Sequence, residues 1–216
     1  VGVRAVQEAT LEMVASQIDA VAEDLVPAAW KTGMLASAGM IEVVVDRLRA
    51  HHVAHLVVDP VMVAKSGDQL LRPDAVVELR ELLLPLAEVV TPNLPEVEAL
   101  TGINVRTTEE ARRAARAIAD MGPGVVVVKG GHAGTDPVVD VVFQRDGDRW
   151  EELSNPRIPG TSTHGTGCTF SAAITAHLAR GDAPIDAVRA ARAYLQLALE
   201  RAPGLGRGHG PLGHFP

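Results

Sequence analysis

The sequence has few of the residues on which several classes of protein depend. It contains one cysteine in 216 residues, which excludes an intrachain disulfide framework and a metal site built from several thiolates. Aromatic residues make up only 3% of the chain, so the core must be built from Val, Leu, Ala and Ile. No apolar run approaches the roughly 18 residues of a membrane span, and no signal peptide opens the chain. We therefore expect a soluble, cytoplasmic protein with an aliphatic core.

Positive charge is also scarce. The chain has 20 Lys and Arg residues against 27 Asp and Glu, a formal net charge of −7, which argues against nucleic acid or an anionic membrane as the main partner. A local anion site remains compatible with this charge, because backbone amides bind phosphate without any net charge. Lysine is rare even among the basic residues. Lys31, Lys65 and Lys129 are therefore candidates for specific roles, the alternative being that they are ordinary solvated lysines.

Apolar periodicity predicts helices that alternate with strands. Helices are predicted over 11–25, from a cap at Ser37 to about 48, and over 73–84, 107–121, 168–180 and 184–201. Strands are predicted over 53–58, 88–91, 125–129, 138–143 and 149–153, the last two as a hairpin towards one edge. This alternation predicts an α/β fold, a mostly parallel sheet covered on both faces. No repeat or long linker divides the chain, so we expect one domain over 1–216.

Polar residues collect after three of the predicted strands. Asp59 follows the first, the segment 91–96 the second and the segment 129–132 the third. In open α/β sheets, ligands bind beyond the carboxyl ends of the strands, so these positions predict the site. Asn93 and Glu96 have the spacing of a helix-capping pair. Asp59 fits two roles equally well, capping its loop or approaching a metal.

The strongest local signal is the segment 163–173, in which glycines and small residues lead directly into a helix. Free backbone amides at such a helix start make an anion hole for phosphate, helped by the helix dipole. The segment is not a Walker loop, since no Gly-Lys-Ser/Thr follows it. Cys168 lies at the helix start, a position that favours a reactive thiolate. A lone cysteine is more commonly a small buried hydrophobe, and residue type alone slightly favours that interpretation.

Five segments in series resemble the hydroxymethylpyrimidine/phosphomethylpyrimidine kinases, the thiamine-biosynthesis members of the ribokinase-like superfamily. They read KTGML at 31–35, DPVMVAKSG at 59–67, TPNLPE at 91–96, VKGGH at 128–132 and HGTGC at 164–168. The resemblance extends over essentially the whole chain, in the family's order, and five motifs together are far more specific than any one of them.

The resemblance implies a three-layer α/β/α ribokinase-like fold and transfer of the ATP γ-phosphoryl group to a primary alcohol, with Mg²⁺ as cofactor. It implies phosphorylation of 4-amino-5-hydroxymethyl-2-methylpyrimidine and then of its monophosphate, and a homodimer. By motif position, the resemblance implies an anion hole formed by Gly165, Thr166, Gly167 and Cys168, with Cys168 as the base. It implies that Asn93 and Glu96 hold Mg²⁺ through water. It also implies that Met34, Val61 and Asp59 bind the pyrimidine and that Lys129, Thr163 and His164 bind the nucleotide.

The front of the chain departs from the family pattern. Family members carry a glycine-rich stretch with an Asp near the N-terminus and then a Gln that reads the pyrimidine, and neither precedes Val1. We expect that an N-terminal segment is missing from this sequence. Two alternatives stay open at this point: a pyridoxal/pyridoxine kinase of the same superfamily, which shares the Gly-Thr-Gly-Cys arrangement, and a truncated domain that binds a ligand without catalysis.

Overall fold

A six-stranded sheet forms the centre of the molecule. The computed structural model describes residues 5–62, 71–72, 74–134, 136–160 and 162–215. The strands are β1 (Trp30–Thr32), β2 (Leu56–Val58), β3 (Val89–Val90), β4 (Val125–Val128), β5 (Val138–Gln144) and β6 (Arg149–Asn155). Their order in the sheet is the order in the chain. The first four strands are parallel, and β5 and β6 are antiparallel additions at one edge.

Helices cover both faces of this sheet. They are α1 (Leu11–Asp24), α2 (Ala38–Ala50), α3 (Ala75–Glu78), α4 (Leu94–Thr101), α5 (Thr108–Ala119), α6 (Thr166–Ala179) and α7 (Pro184–Glu200). Successive valines of the parallel strands point to opposite faces and enter two separate apolar clusters. One cluster packs under α2 and α5, the other under α6 and α7. The fold is thus the three-layer α/β/α arrangement that the resemblance implied.

The prediction of alternating helices and strands is confirmed, as is the hairpin at one edge. Thr107 and Glu110 form a reciprocal capping box at the start of α5. Ser37 occupies the N-cap of α2 but makes no side-chain capping bond. In the part of the chain that the structure describes, no helix is long and apolar enough to cross a membrane.

Two predicted elements differ from the structure. The strand predicted over 53–58 is regular only from Leu56 to Val58, because Ala54 and His55 lie exposed before the sheet begins. The helix predicted over 73–84 is α-helical only in α3 and continues as a π-helical turn to Leu83 and a 3-10 turn to Leu86. Pro85 has no N–H to donate, so the α-helical hydrogen bonding cannot continue through this residue. Pro73, the predicted start, lies outside the described residues.

Two elements were missed. The strand β1 has three residues, too few to show an alternation. Helix α4 follows Asn93, whose spacing from Glu96 predicts a capping pair but does not by itself predict the extent of a helix.

Candidate phosphate-binding active site

Three strand ends bring a buried ion pair together. Asp59 follows β2, Thr91 follows β3 and Lys129 follows β4. The Lys129 Nζ donates to Asp59 Oδ1 at 3.0 Å, and the Thr91 hydroxyl donates to the same oxygen at 3.1 Å. The side chains of Lys129 and Asp59 are 15% and 2% exposed. The parallel strands thus deliver one ammonium and one carboxylate to the same edge of the sheet, as the sequence predicted.

Glu96 adds a second carboxylate to this pair. Its Oε2 lies 3.9 Å from the Lys129 Nζ and accepts the backbone N–H of Asn93 at 2.7 Å. The Asn93 Oδ1 accepts the Glu96 N–H at 3.0 Å, so the two residues form the reciprocal capping box of α4. Burial raises the pKa of Glu96 to about 7, against the opposing effect of the Lys129 charge. Near neutral pH this carboxyl is therefore partly protonated, unlike an exposed glutamate.

Lys129 keeps its charge in this surrounding. Burial works against the ammonium, but the Asp59 and Glu96 carboxylates outweigh it and hold the pKa of Lys129 above its usual range. With both carboxylates ionised the three groups carry a net charge of −1, and with Glu96 protonated they are neutral. The cluster can therefore accept a further cation or remain neutral beside an anion.

The start of α6 lies directly against this cluster. Gly165, the N-cap, has a left-handed φ of 81°, which glycine adopts without strain. A Cβ at Gly167 would lie 3.3 Å from Lys129 Nζ and 3.6 Å from Asp59 Oδ2. The Ser171 hydroxyl, one turn further along the helix, donates to Asp59 Oδ2 at 3.3 Å. The N-terminus of α6 and the Lys129 ammonium are therefore in close contact.

The amides of this helix start are available to a ligand. The N–H of Thr169 makes the first helical bond, to Gly165 O at 2.8 Å, and within the described ranges no side chain caps the start of this helix. The amides of Thr166, Gly167 and Cys168 precede that bond and so lack a helical acceptor. Backbone N–H groups without a helical acceptor thus lie beside the Lys129 ammonium.

Cys168 is exposed. The interpretation as a small buried hydrophobe is therefore wrong, because the thiol at the third helical position faces solvent and not the apolar cluster beneath α6. The thiol is therefore accessible from solvent at the start of α6.

The C-terminal tail holds the loop that leads into α6. The Thr163 hydroxyl lies 3.1 Å from His209 Nδ1, and the His164 N–H donates to Gly210 O at 3.1 Å. Gly210 approaches so closely that a Cβ there would lie 2.8 Å from both Leu205 O and Ser162 Oγ. No role for this tail is predictable from sequence, because a glycine-rich composition typical of a loop does not show where the loop packs.

The residues expected to bind the pyrimidine lie at neighbouring strand ends. Met34 is exposed and follows β1, whereas Val61 is partly buried and follows β2. Asp59 has both carboxylate oxygens engaged by protein groups, which favours a role in holding Lys129 over contact with a substrate. Lys31 is partly buried and its Nζ would lie 2.8 Å from a Cβ on Gly33. Lys65 lies outside the described residues.

A metal site made only of protein side chains is not present in the described ranges, where no three His, Cys, Asp or Glu side chains come together suitably. Asp59 and Glu96 nevertheless supply oxygen ligands of the kind that Mg²⁺ uses with water and phosphate. The donor set fits an ion that arrives with a nucleotide better than a resident one.

Some of the contacts in the site could not be predicted from sequence. Thr91 and Ser171 lie in the segments 91–96 and 163–173, but nothing in their residue types indicates that both donate to Asp59. Asp140 could have been found, because it is a lone acid inside the apolar strand β5 and it is 5% exposed.

The comparisons with known proteins agree with this geometry. Residues 1–213 match the family model of phosphomethylpyrimidine kinase. A hydroxymethylpyrimidine/phosphomethylpyrimidine kinase of Bacillus subtilis is 44% identical over 215 residues, which are 99% of this chain and 79% of that protein. The thiamine biosynthesis bifunctional protein ThiED of Geobacter sulfurreducens is 44% identical over 214 residues, which are 99% of this chain and 43% of that longer protein.

Solved structures show the same fold. A Bacillus subtilis pyridoxal kinase in complex with ADP is similar with a TM-score of 0.90 and 34% identity, covering 97% of this chain and 79% of that one. The phosphomethylpyrimidine kinase of Clostridium difficile has a TM-score of 0.79 and 36% identity, covering 90% and 79%. The family model and the relatives together show that this chain belongs to the phosphomethylpyrimidine kinase family of phosphotransferases.

Proposed function

We propose that this protein transfers the γ-phosphoryl group of ATP to the hydroxymethyl group of 4-amino-5-hydroxymethyl-2-methylpyrimidine, and then phosphorylates the monophosphate to the diphosphate, in thiamine biosynthesis. The observation that carries the proposal is the start of α6, where amides without a helical acceptor lie beside the Lys129 ammonium. A Bacillus subtilis relative named for this activity is 44% identical to this chain, whereas the pyridoxal kinase of the same organism is 34% identical.

Phosphoryl transfer requires in-line positioning and stabilisation of charge on the transferred group. The amides of Gly165, Thr166, Gly167 and Cys168 would bind the phosphoryl oxygens of the donor, and Lys129 would contribute a fixed positive charge next to them. Both groups are preorganised, since the helix fixes the amides and Asp59 fixes the ammonium. Little rearrangement is then needed when negative charge develops.

Cys168 is the proposed general base. Its thiolate would take the proton of the substrate hydroxyl as the alkoxide oxygen bonds to the γ-phosphorus, while the bond from that phosphorus to the bridging oxygen breaks and ADP leaves. Exposure of the thiol at the helix start supports this role, because a base must reach the substrate.

Mg²⁺ would be held through water at Asn93 and Glu96. When bound, it supplies positive charge to the ATP phosphates. Both side chains already make the capping box of α4, so they are rigid before the ion arrives. The proposal therefore assigns them one structural and one cofactor-ordering role at the same time.

The substrate and nucleotide would approach from opposite sides of the anion hole. Met34 and Val61 follow β1 and β2 and would line the pyrimidine side. Thr163 and His164 belong to the loop entering α6, and Thr163 lines a cavity of about 170 Å³ beside it, which we assign to the nucleotide side.

A pyridoxal kinase activity is the second candidate. It is favoured by the fold comparison, since the Bacillus subtilis pyridoxal kinase superimposes with a higher TM-score than the Clostridium difficile phosphomethylpyrimidine kinase, 0.90 against 0.79. A domain that binds ligands without catalysis fits less well, because Cys168, Glu96 and Lys129 are all in place.

The direct test is to incubate the purified protein with ATP, Mg²⁺ and hydroxymethylpyrimidine and to follow the products by mass spectrometry. The proposal requires the monophosphate first and the diphosphate later. Formation of neither, by protein that still binds ADP, would contradict it.

We also propose a homodimer that acts in the cytoplasm, where ATP is supplied. The support for a dimer is an exposed apolar strip on and after α1, made of Met13, Val21, Leu25 and Val26. Light scattering on the protein and on Leu25→Glu tests this: the proposal expects a dimer that the variant converts to a monomer, and a monomeric parent protein contradicts it.

A further inference from the structure

We propose that the buried Asp140–Arg192 pair is a positioning element for the active site, which holds the turn after β4 so that the Lys129 ammonium stays directed at the start of α6. The inference rests on the proposed function, since it assigns Lys129 to the donor phosphate. Neither residue belongs to the motifs that identify the family.

A hydrogen bond to Asp140 holds the turn itself. Gly130 directly follows Lys129, and its N–H donates to Asp140 Oδ1 at 2.8 Å. The same glycine packs against β5 so tightly that a Cβ would lie 1.9 Å from Val139 O. The backbone on which Lys129 is mounted is therefore fixed to β5 by a hydrogen bond and by close packing.

Asp140 is itself held by Arg192 of helix α7. The Arg192 Nε lies 3.0 Å from Asp140 Oδ2, and both side chains are 7% exposed. Burial raises the pKa of Asp140, and the Arg192 charge opposes that effect. The guanidinium also reaches Gln196 Oε1 at 3.5 Å, and the Gln196 amide donates to Pro156 O at 3.4 Å. Helix α7 thereby anchors the carboxylate.

The charge of Arg192 also affects Lys129 through Asp140. The β4–β5 register pairs Val128 with Val141, so Lys129 and Asp140 come next in line on adjacent strands. The buried charges then alternate in sign from Asp59 through Lys129 and Asp140 to Arg192. Without Arg192, the Asp140 carboxylate would have no positively charged partner among the described residues other than Lys129, and it would draw the ammonium away from the start of α6. Arg192 neutralises that competitor.

Asp140→Asn is the most informative variant, because the amide oxygen can still accept the Gly130 N–H while the charge opposite Arg192 is lost. We expect kcat/KM to fall roughly 10- to 100-fold, the usual effect of a small misplacement in an active site. The fall should be carried by kcat and by the KM for ATP, with the KM for the pyrimidine little changed. Arg192→Lys keeps the charge but not the planar guanidinium, so its kcat/KM should lie between that of the parent and that of Asp140→Asn.

A double-mutant cycle separates positioning from a merely structural role. In a Lys129→Met background the proposal expects Asp140→Asn to have almost no further effect on kcat/KM. An equal loss in both backgrounds, or no loss in either, would overturn it. Arg192→Lys completes the same cycle if Asp140→Asn does not fold. Glu151→Gln is the matched control, since it breaks an exposed pair with Arg189 on the same helix and should leave kinetics unchanged.

The two proposals fail differently. If the parent protein phosphorylates neither hydroxymethylpyrimidine nor its monophosphate, the proposed function is wrong. If the parent is active and the cycle shows no coupling between Asp140 and Lys129, the positioning inference alone is wrong.

Discussion

Glu96 and Glu110 occupy the same position in two capping boxes, yet the structure predicts opposite pH dependences for them. Glu96 is buried beside Lys129, and its pKa rises from 4.5 to about 7 in the folded protein. Glu110 is only partly buried and accepts the backbone N–H groups of Arg106 and Thr107, which lowers its pKa. Glutamine preserves the capping geometry in both boxes, so Glu96→Gln and Glu110→Gln isolate the effect of the charge.

The expected size for Glu96 follows from linkage between protonation and folding. Between pH 4.5 and about 7 the folded protein keeps a proton on Glu96 that the unfolded chain has lost, so this group's contribution to stability falls as pH rises. A shift of this size corresponds to about 3 kcal/mol, since each pKa unit is worth about 1.4 kcal/mol. Glutamine imitates the protonated form at every pH. As the pH rises from 4.5 to 8, the unfolding free energy of Glu96→Gln should therefore increase by about 3 kcal/mol relative to that of the parent.

The assay is urea unfolding of the parent and both variants at half-unit steps from pH 4 to 8. The difference between Glu110→Gln and the parent should stay constant over pH 5–8. It should shrink only below that range, because a lowered pKa contributes stability that is lost on acidification. A difference between Glu96→Gln and the parent that does not change with pH would refute the buried Asp59–Lys129–Glu96 cluster.

Three further predictions concern single side chains. Cys168→Ser should lower kcat roughly 10²- to 10⁴-fold while ADP binding persists, and the parent thiol should react rapidly with iodoacetamide unless ATP is present; a variant with the parent's kcat would remove Cys168 from the mechanism. Gly130→Ala should lower stability by about 1–3 kcal/mol or more in thermal unfolding, whereas Gly131→Ala should not, because a Cβ meets Val139 O at 1.9 Å in the first case and nothing within 4 Å in the second. Gly210→Ala should weaken ADP binding in calorimetry more than it lowers kcat, because it displaces the tail that holds His164; unchanged affinity would show that the tail does not position the loop.

The layer architecture was predictable because apolar periodicity reports local geometry. The valine run of β4 and the amphipathic face of α5 each show in their own residues which surface is buried. The β5–β6 hairpin was equally visible, since its turn residues lie between two extended segments. By contrast, β1 was missed, because three residues carry no period.

The residues of the candidate site could be selected from the sequence, but the contacts between them could not be predicted. The strand ends and the glycine segment before α6 drew attention to Asp59, Lys129 and Cys168 as residues. The ion pair of Lys129 with Asp59 joins positions 70 apart in the chain, and nothing in a single sequence pairs them. The exposure of Cys168 was also not readable, because a helix start can be buried or open with the same sequence.

The central claim is the choice of substrate, and the measurement that tests it most directly is kcat/KM for hydroxymethylpyrimidine and for pyridoxal with the same enzyme, ATP and Mg²⁺. The segments at 31–35 and 59–67 match the pyrimidine kinases, so the pyrimidine should be phosphorylated with a kcat/KM well above that of pyridoxal, by at least about tenfold, a difference that a single pocket contact can supply. Equal values, or a higher value for pyridoxal, would contradict the account.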